Sequence, residues 1–558
     1  MIDSRLPSPD TLPLAEQVAQ MMVVRTTGHL FDHEVAYPQW EATNAELEKY
    51  LALGVGGVIF LGGSAAELGV RTQQLQNMAK YPLFTAADIE EGVGQRFTGA
   101  TWFAPPMALG QIAQQDLERA IALATQMGAV IAQEATAIGL NWILAPVVDV
   151  NNNPSNPVIN VRAFAEHADV VAQLTRAFIQ GTKAFPILTS AKHFPGHGDT
   201  ATDSHLSLPV INHDFERLQS LELVPFKSVI AAKTDSIMTA HLRLPKVDPD
   251  HPTTLSKLTL TGLLRQDMGF NGLIVTDAMV MGGITQQYGA NEAAVMAVEA
   301  GADILMMPGD VEGAISSICE AVSDGRISAE QILQTVERIW RAKHKVADLM
   351  VTDDFSQHAW QHSSVPPIQL EKVATQAGRS LAAEILQTSQ QLSNAPAQSL
   401  AQAISGPLIP GQNLVIVDEL LHCPFLGRTA PAITLPQRLG YELTLVDSRS
   451  ADVSRLKADA STLVQVFIRG NPFRSGQGLE VIANQYIEAL GNYVQAVVIY
   501  GSPYVWKNIQ SLLPENTPCV FTYGQMNESQ AIALQPLLAP NDVDTVETVS
   551  ATDSTFTD

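Results

Sequence analysis

The residues LALGVGGVIFLGGSAAELGV, 51–70, decide the fold because they allow two opposite readings. Taken as one apolar run, they are long enough to cross a bilayer. Their glycines, Glu67 and the split into two apolar pieces fit instead a buried strand, GVIFL at 57–61, set between turns. The second reading predicts further strands of the same kind along the chain.

Seven more short apolar runs follow that plan. They are MMVV at 21–24, PLFTA at 82–86, NWILAP at 141–146 and PILTSA at 186–191, then SIMTA at 236–240, GLIVTD at 272–277 and DILMMP at 303–308. Helical patterns lie between most of them, such as LERAIALATQMGAVIAQEATAIG at 117–139 and NEAAVMAVEAG at 291–301. Eight strand–helix units predict an α/β fold, a (β/α)8 TIM-type barrel over residues 1–350, with an open doubly wound sheet as the alternative. The Ser-, Gln-, His- and Pro-containing stretch TDDFSQHAWQHSSVPPIQ marks a linker, placed at 351–370. Alternation resumes with NLVIVD at 413–418, TLVQVFIRG at 462–470, AVVIYG at 496–501 and PCVFTYG at 518–524, which predicts a smaller α/β layered domain over 371–538. The end, 539–558, carries acids but no Lys or Arg and reads as a disordered acidic tail.

The chain has 558 residues, 57 of them acidic and 33 basic, for a formal charge of −24. Without a basic stripe to neutralise phosphates, neither nucleic acid nor an anionic membrane surface is an expected partner. Three widely spaced cysteines, Cys319, Cys423 and Cys519, argue against a disulfide framework or a thiolate zinc site and fit a reducing compartment. The opening MIDSRLPSPDTLPLAEQ holds no apolar core for a signal peptide, so a cytoplasmic location is expected.

In a barrel of this kind the active site lies at the C-terminal strand ends. The residues that follow each run are therefore informative. The third run leads into Asp88, Glu90, Glu91 and Arg96, and the fourth into a segment with Asp149 and Arg162. The fifth leads into KHFPGHGDTATDSH at 192–205, the sixth into His241, and the seventh ends on Asp277. Asp149 and Glu90 have an ordinary reading as helix caps or loop ties, and His241 as a satisfied structural histidine. Asp277 resists such a reading. It follows buried strand and precedes apolar AMVM, where a desolvated carboxylate needs a reason. A carboxylate at a barrel mouth among Asp, Arg, Lys and His suits sugar chemistry, in which such groups grip hydroxyls and one carboxylate attacks an anomeric carbon.

The ordered motifs DIEEGVGQR, INVRAF, KHFPGHGDTATDSH, TAHLRLP and TDAMVMGG, over about residues 10–345, resemble glycoside hydrolase family 3. Within it they are most similar to the bacterial β-N-acetylglucosaminidase branch involved in cell-wall recycling. The second block resembles the additional domain of two-domain members. The resemblance implies that Asp277 is the nucleophile and that His205 is the acid/base, with Asp203 as its partner. It also implies sugar-hydroxyl contacts from Asp88, Arg96, Arg162, Lys192 and His193, and a substrate with a terminal β-GlcNAc from peptidoglycan or chitin-type fragments. A phosphorylase, a β-glucosidase and a non-catalytic sugar-binding module are the alternatives. One departure is Glu91, which stands where the family usually has the first of two glycines; glycine reaches positive φ and glutamate rarely does. The Asp203–His205 loop has no apolar anchor between Gly198 and Leu206 and is expected to close over substrate. No cofactor or metal is expected: a zinc site built from His193, His197, His205, Asp199 and Asp203 would offer no helical His pair and leave Asp277 without a role.

Overall fold

The structure, a computed structural model, describes residues 6–200, 208–347, 366–393, 411–457, 459–469, 477–513 and 517–537. The chain divides into two compact units, one running to Ile385 and the other starting at Leu386. The expected linker falls largely, and the acidic tail wholly, outside the described residues.

The first unit is the barrel. Its strands are β1 (Met22–Thr27), β2 (Gly57–Leu61), β3 (Phe84–Ala87), β4 (Trp142–Ile143), β5 (Leu188–Phe194), β6 (Ser236–Thr239), β7 (Leu273–Val275) and β8 (Leu305–Met306). They run in the order β7-β6-β5-β4-β3-β2-β1-β8, with every pairing parallel. A bridge between Val275 and Ile304, and the Thr276 N–H donating to the Ile304 carbonyl at 3.0 Å, curl the sheet back on itself. Helices cover the outside, so both strand faces are buried and the strands read as apolar runs.

The window 51–70 is resolved into three pieces. A helix, Asn44–Leu53, opens on a capping box between Thr43 and Glu46 and stops at Gly54, whose φ of 83° ends the helical path. β2 follows. A second helix, Ala65–Met78, starts at Ser64, whose hydroxyl accepts from the Glu67 N–H. Among the described residues no helix is long and apolar enough to cross a membrane.

The N-terminal end of the barrel is closed by two polar clusters. Asp303, fully buried just before β8, accepts from Arg265 at 2.6 Å, Arg338 at 2.7 Å and the Ile274 N–H at 2.8 Å. Lys343, 1% exposed, donates to Gln20 Oε1 at 2.6 Å and lies over the rings of Phe84 and Trp340, 5.1 and 5.4 Å from their centroids. Burial lowers its pKa from 10.5 to about 7, although the two ring faces favour the cation and offset part of that effect. Between those values the unfolded chain takes a proton that the folded one refuses. Lys343 therefore costs stability that grows as pH falls from 10.5 toward 7 and levels off below. Lys343→Met is expected to gain on the wild type by about 2–4 kcal/mol between pH 10 and pH 7, read from urea unfolding at the two values. A gap that does not change with pH would reject a neutral Lys343.

The second unit is a six-stranded sheet. Its strands are β9 (Gln391–Ser393), β10 (Gln412–Val417), β11 (Glu442–Val446), β12 (Thr462–Ile468), β13 (Val494–Gly501) and β14 (Cys519–Thr522). The order is β11-β10-β12-β13-β14-β9, parallel except for β9 at the edge. Helices on the sheet faces make this a doubly wound α/β layer, as four of the strands predicted. The two edge strands, β11 and β9, escaped prediction: Leu443 and Leu445 of β11 are exposed and ELTLV alternates, and β9 is only QLS, whereas the four central strands form apolar runs.

Candidate active site

Charged residues after β3 and β4 meet Lys192 of β5 at the C-terminal end of the barrel. Lys192, on β5 and 2% exposed, donates to Asp88 Oδ1 at 2.6 Å and contacts Glu90 Oε1 at 2.7 Å. Arg162, on a single turn of 3-10 helix (Asn160–Arg162), makes a two-pronged contact with Glu90: Nε to Oε2 at 2.9 Å and Nη2 to Oε1 at 2.8 Å. Burial alone would raise the Glu90 pKa, but Arg162 and Lys192 outweigh it and hold the carboxyl well below the usual range. Burial likewise works against charge on Lys192, and Asp88 with Glu90 more than offsets it, so its pKa is raised. Arg162, Lys192 and Glu90 thus stay ionised together. The two carboxylates differ in exposure: the Asp88 side chain is 36% exposed and that of Glu90 only 4%. Asp88 is thus open to solvent at the barrel mouth, whereas Glu90 lies beneath it and holds the two cations in place.

The turn that carries Asp88 and Glu90 accommodates Glu91 without backbone strain. Glu91 does not occupy the positive-φ region; that conformation falls on Gly92, at 96°, where a Cβ would come within 2.6 Å of the Thr101 carbonyl. The buried Glu91 carboxylate accepts from the Trp102 indole N–H at 3.0 Å, and its own N–H donates to Gln95 at 3.0 Å. The side chain that replaces the usual glycine therefore ties the turn down. Arg96 closes the loop by donating from Nε to the Asp88 carbonyl at 3.0 Å.

A second layer orders the loop after β5. Asp149, 1% exposed, accepts from His193 Nδ1 at 2.8 Å and from the His197 N–H at 2.7 Å. With Nδ1–H committed to Asp149, a neutral His193 presents Nε2 as an acceptor. Asn156 bridges the loops after β4 and β5: Nδ2 donates to the carbonyls of His197 and Gly198, while Oδ1 accepts from the N–H groups of Val158 and Ile159. Glycine is required at 198 by the close approach of the loop after β4, since a Cβ there would sit 1.7 Å from the Val150 carbonyl oxygen. Burial lowers the His197 pKa to about 4 against the pull of Asp149 and Asp277, so its ring is neutral at pH 7.

Asp277 stands two residues beyond β7, partly exposed, with the Ala278 N–H donating to its Oδ1 at 2.8 Å. Its influence on His197 places it toward the loop after β5. His241 shares a hydrogen bond with Thr254 at 2.8 Å and reaches the Ala278 carbonyl through Nε2 at 3.1 Å, beside Asp277. Among the described site candidates, Asp88, Lys192 and Arg162 come together around Glu90, and Arg96 and His193 flank them. Asp203, His205 and the expected loop closure lie outside the described residues. In the sequence Glu90 and Asp149 read as strand-end charges that could equally be caps or loop ties, and His197 as a loop residue; the structure shows that their partners are the candidate site's own cations and loop. Among the described residues no three His, Cys, Asp or Glu side chains are grouped to hold a metal ion.

Residues 13–342 match the glycosyl hydrolase family 3 N-terminal domain, and residues 409–539 match the bacterial glycosyl hydrolase family 3 C-terminal domain. The chain is 36% identical over 296 residues to a protein named beta-hexosaminidase A from Pseudoalteromonas piscicida, an alignment covering 49% of each chain. It is 34% identical over 290 residues to a beta-hexosaminidase from Tolumonas auensis, covering 51% of this chain and 85% of that one. The alignment thus spans about half the length of the Pseudoalteromonas relative. Among solved structures, a family 3 β-N-acetylglucosaminidase from Paenibacillus sp. FPU-7 superposes with a TM-score of 0.74 at 28% identity, covering 94% of this chain and 97% of the other.

Proposed function

The chain belongs to glycosyl hydrolase family 3, and from that premise we propose that it is a retaining exo-β-N-acetylglucosaminidase acting on GlcNAc-terminated peptidoglycan or chitin-type fragments. The observation that carries the reading is the Asp88–Lys192–Glu90–Arg162 cluster at the same barrel end as Asp277. Such a cluster offers paired donors and acceptors to a pyranose ring's hydroxyls, leaving a separate carboxylate for the anomeric carbon.

In the first step an Asp277 oxygen bonds to C1 as the C1–O bond to the leaving group breaks. His205, oriented by Asp203, passes its proton to the departing oxygen. In the second step water bonds to C1 and gives a proton to His205 while the C1–Asp277 bond breaks, so two inversions restore the β configuration. Asp88, Lys192, Arg162, Arg96 and His193 hold the sugar. The low content of cysteine and the acidic surface suit a cytoplasmic enzyme that acts on a small glycan.

The test is an assay of aryl β-GlcNAc and aryl β-glucoside with and without phosphate, with the first-formed anomer followed by NMR. Phosphate-independent release of the β-anomer of GlcNAc is expected. An α-anomer as first product would overturn the retaining mechanism. A phosphate requirement with a sugar 1-phosphate product would make the protein a phosphorylase, and preference for the glucoside would make it a β-glucosidase.

A further inference from the structure

His241 is fully buried in the loop after β6, and the two-step reaction above gives it no role. A histidine sealed from solvent needs partners for its ring nitrogens. Nε2 lies 3.1 Å from the Ala278 carbonyl, which can only accept, so Nε2 carries a hydrogen and donates. Nδ1 meets the Thr254 hydroxyl at 2.8 Å. Thr254, also fully buried, sits on a 3-10 turn (Thr253–Leu255) and is fixed by the Thr239 hydroxyl and the Ala240 carbonyl, each at 2.9 Å. The ring thus stands on a shelf built from the end of β6 and reaches across to the end of β7.

What the ring holds is the peptide that follows Asp277. A peptide unit is planar, so ties at its carbonyl and at its N–H fix one rigid plane. The unit between Ala278 and Met279 has both. Its carbonyl accepts from His241 and from the Met281 N–H, each at 3.1 Å, and its N–H donates to the Met306 carbonyl of β8 at 2.8 Å. On the other side of Asp277, the Thr276 N–H donates to the Ile304 carbonyl, and the Thr276 hydroxyl accepts from the Met306 N–H, each at 3.0 Å. Asp277 therefore spans two pinned points, and the Ala278 N–H between them donates to its Oδ1 at 2.8 Å. Main-chain bonds tie both points toward β8, and the His241 ring ties the second toward β6. A tilt of that second plane would turn the Ala278 N–H, and the carboxylate with it.

We propose that His241 is a positioning residue for Asp277: by holding the Ala278 carbonyl it sets the direction of the attacking carboxylate. The inference rests on the reading of Asp277 as the nucleophile. Two substitutions separate this role from filling of the core. His241→Gln puts an amide NH₂ where Nε2 stood and can still donate to the Ala278 carbonyl. His241→Asn puts its amide where Nδ1 stood, keeping Thr254 and losing the carbonyl. On an aryl β-GlcNAc, His241→Asn is expected to lower kcat about 30-fold with KM within about twofold, and His241→Gln to recover most of that loss. In the Asp277→Ala background, His241→Asn is expected to change the residual rate by less than about threefold, because the group it acts through is gone.

Equal losses in the two variants, an unchanged kcat in His241→Asn, or the same loss in the Asp277→Ala background would each overturn the proposal. Should the asparagine variant not fold, Thr254→Val removes the support of Nδ1 at nearly constant size, and an unchanged kcat there overturns it equally. A wild type without turnover, or an Asp277→Ala variant with full activity, defeats the reading of Asp277 alone. Crystal structures of the glutamine and asparagine variants then decide the proposal, and an Asp277 carboxylate that does not move in His241→Asn rejects it.

Discussion

Asp277→Ala is expected to lower turnover of an aryl β-N-acetylglucosaminide by about 10³-fold or more while leaving the fold intact. The size of the loss follows from the proposed two-step route. On that route, removing the carboxylate just after β7 removes the covalent intermediate and leaves water to attack directly. The fold is expected to survive because Asp277 is partly exposed and lies beyond the end of β7. The neighbouring His197 matters to the argument. With a pKa near 4 its ring is neutral at pH 7 and brings no positive charge toward Asp277. Added azide supplies a sharper check. In the space left by alanine it can bond to C1 as the aryl oxygen departs, giving a glycosyl azide of inverted, α configuration. An alanine variant within about tenfold of wild type would remove Asp277 from the mechanism.

How much of this the sequence revealed depends on the kind of signal. The barrel was legible because its strands are buried on both faces and so form apolar runs; eight runs led to eight strands. The runs misplace the strand ends, however. NWILAP spans six residues and β4 only two, because the chain leaves the sheet while still buried. Asp88, Arg162 and Lys192 were legible as charges at strand ends, which a barrel reserves for chemistry. Glu90 was not. A carboxylate two residues from Asp88 looks like a loop tie until Arg162, 72 positions away, is folded onto it. The same holds for Asp149 and the His193 ring. Glu91 marked a turn that could differ from the family's usual one, and the structure shows where its positive φ falls, on Gly92. Long-range pairing between loops has no periodicity, so hydrophobic pattern cannot report it.

Glu90→Gln provides the second large effect, and comparison with Asp88→Asn separates positioning from contact. Glu90 is the shared acceptor of Arg162 and the buried Lys192, so an amide there presents an NH₂ group to two cations and removes the charge that balances them. Removing one member of a buried ion cluster costs about 2–4 kcal/mol, so the variant should unfold at lower denaturant concentration. Its sugar contacts should loosen with it, lowering kcat/KM by about 10²-fold. The pH dependence has a definite sign. The folded pKa of Glu90 is depressed well below its unfolded value of 4.5. Its stabilisation is therefore fully present above that unfolded value and is lost only as pH falls through the lower folded one. The stability gap between wild type and Glu90→Gln should stay constant from neutral pH down to about 5 and close only in stronger acid. Asp88→Asn should behave differently. Asp88 is far more exposed and pairs with Lys192 alone among these cations, so its loss should reduce activity with little change in unfolding. Should Glu90→Gln match the wild type in unfolding at pH 7, the cluster would not depend on Glu90, and the division of labour between the two carboxylates would fall.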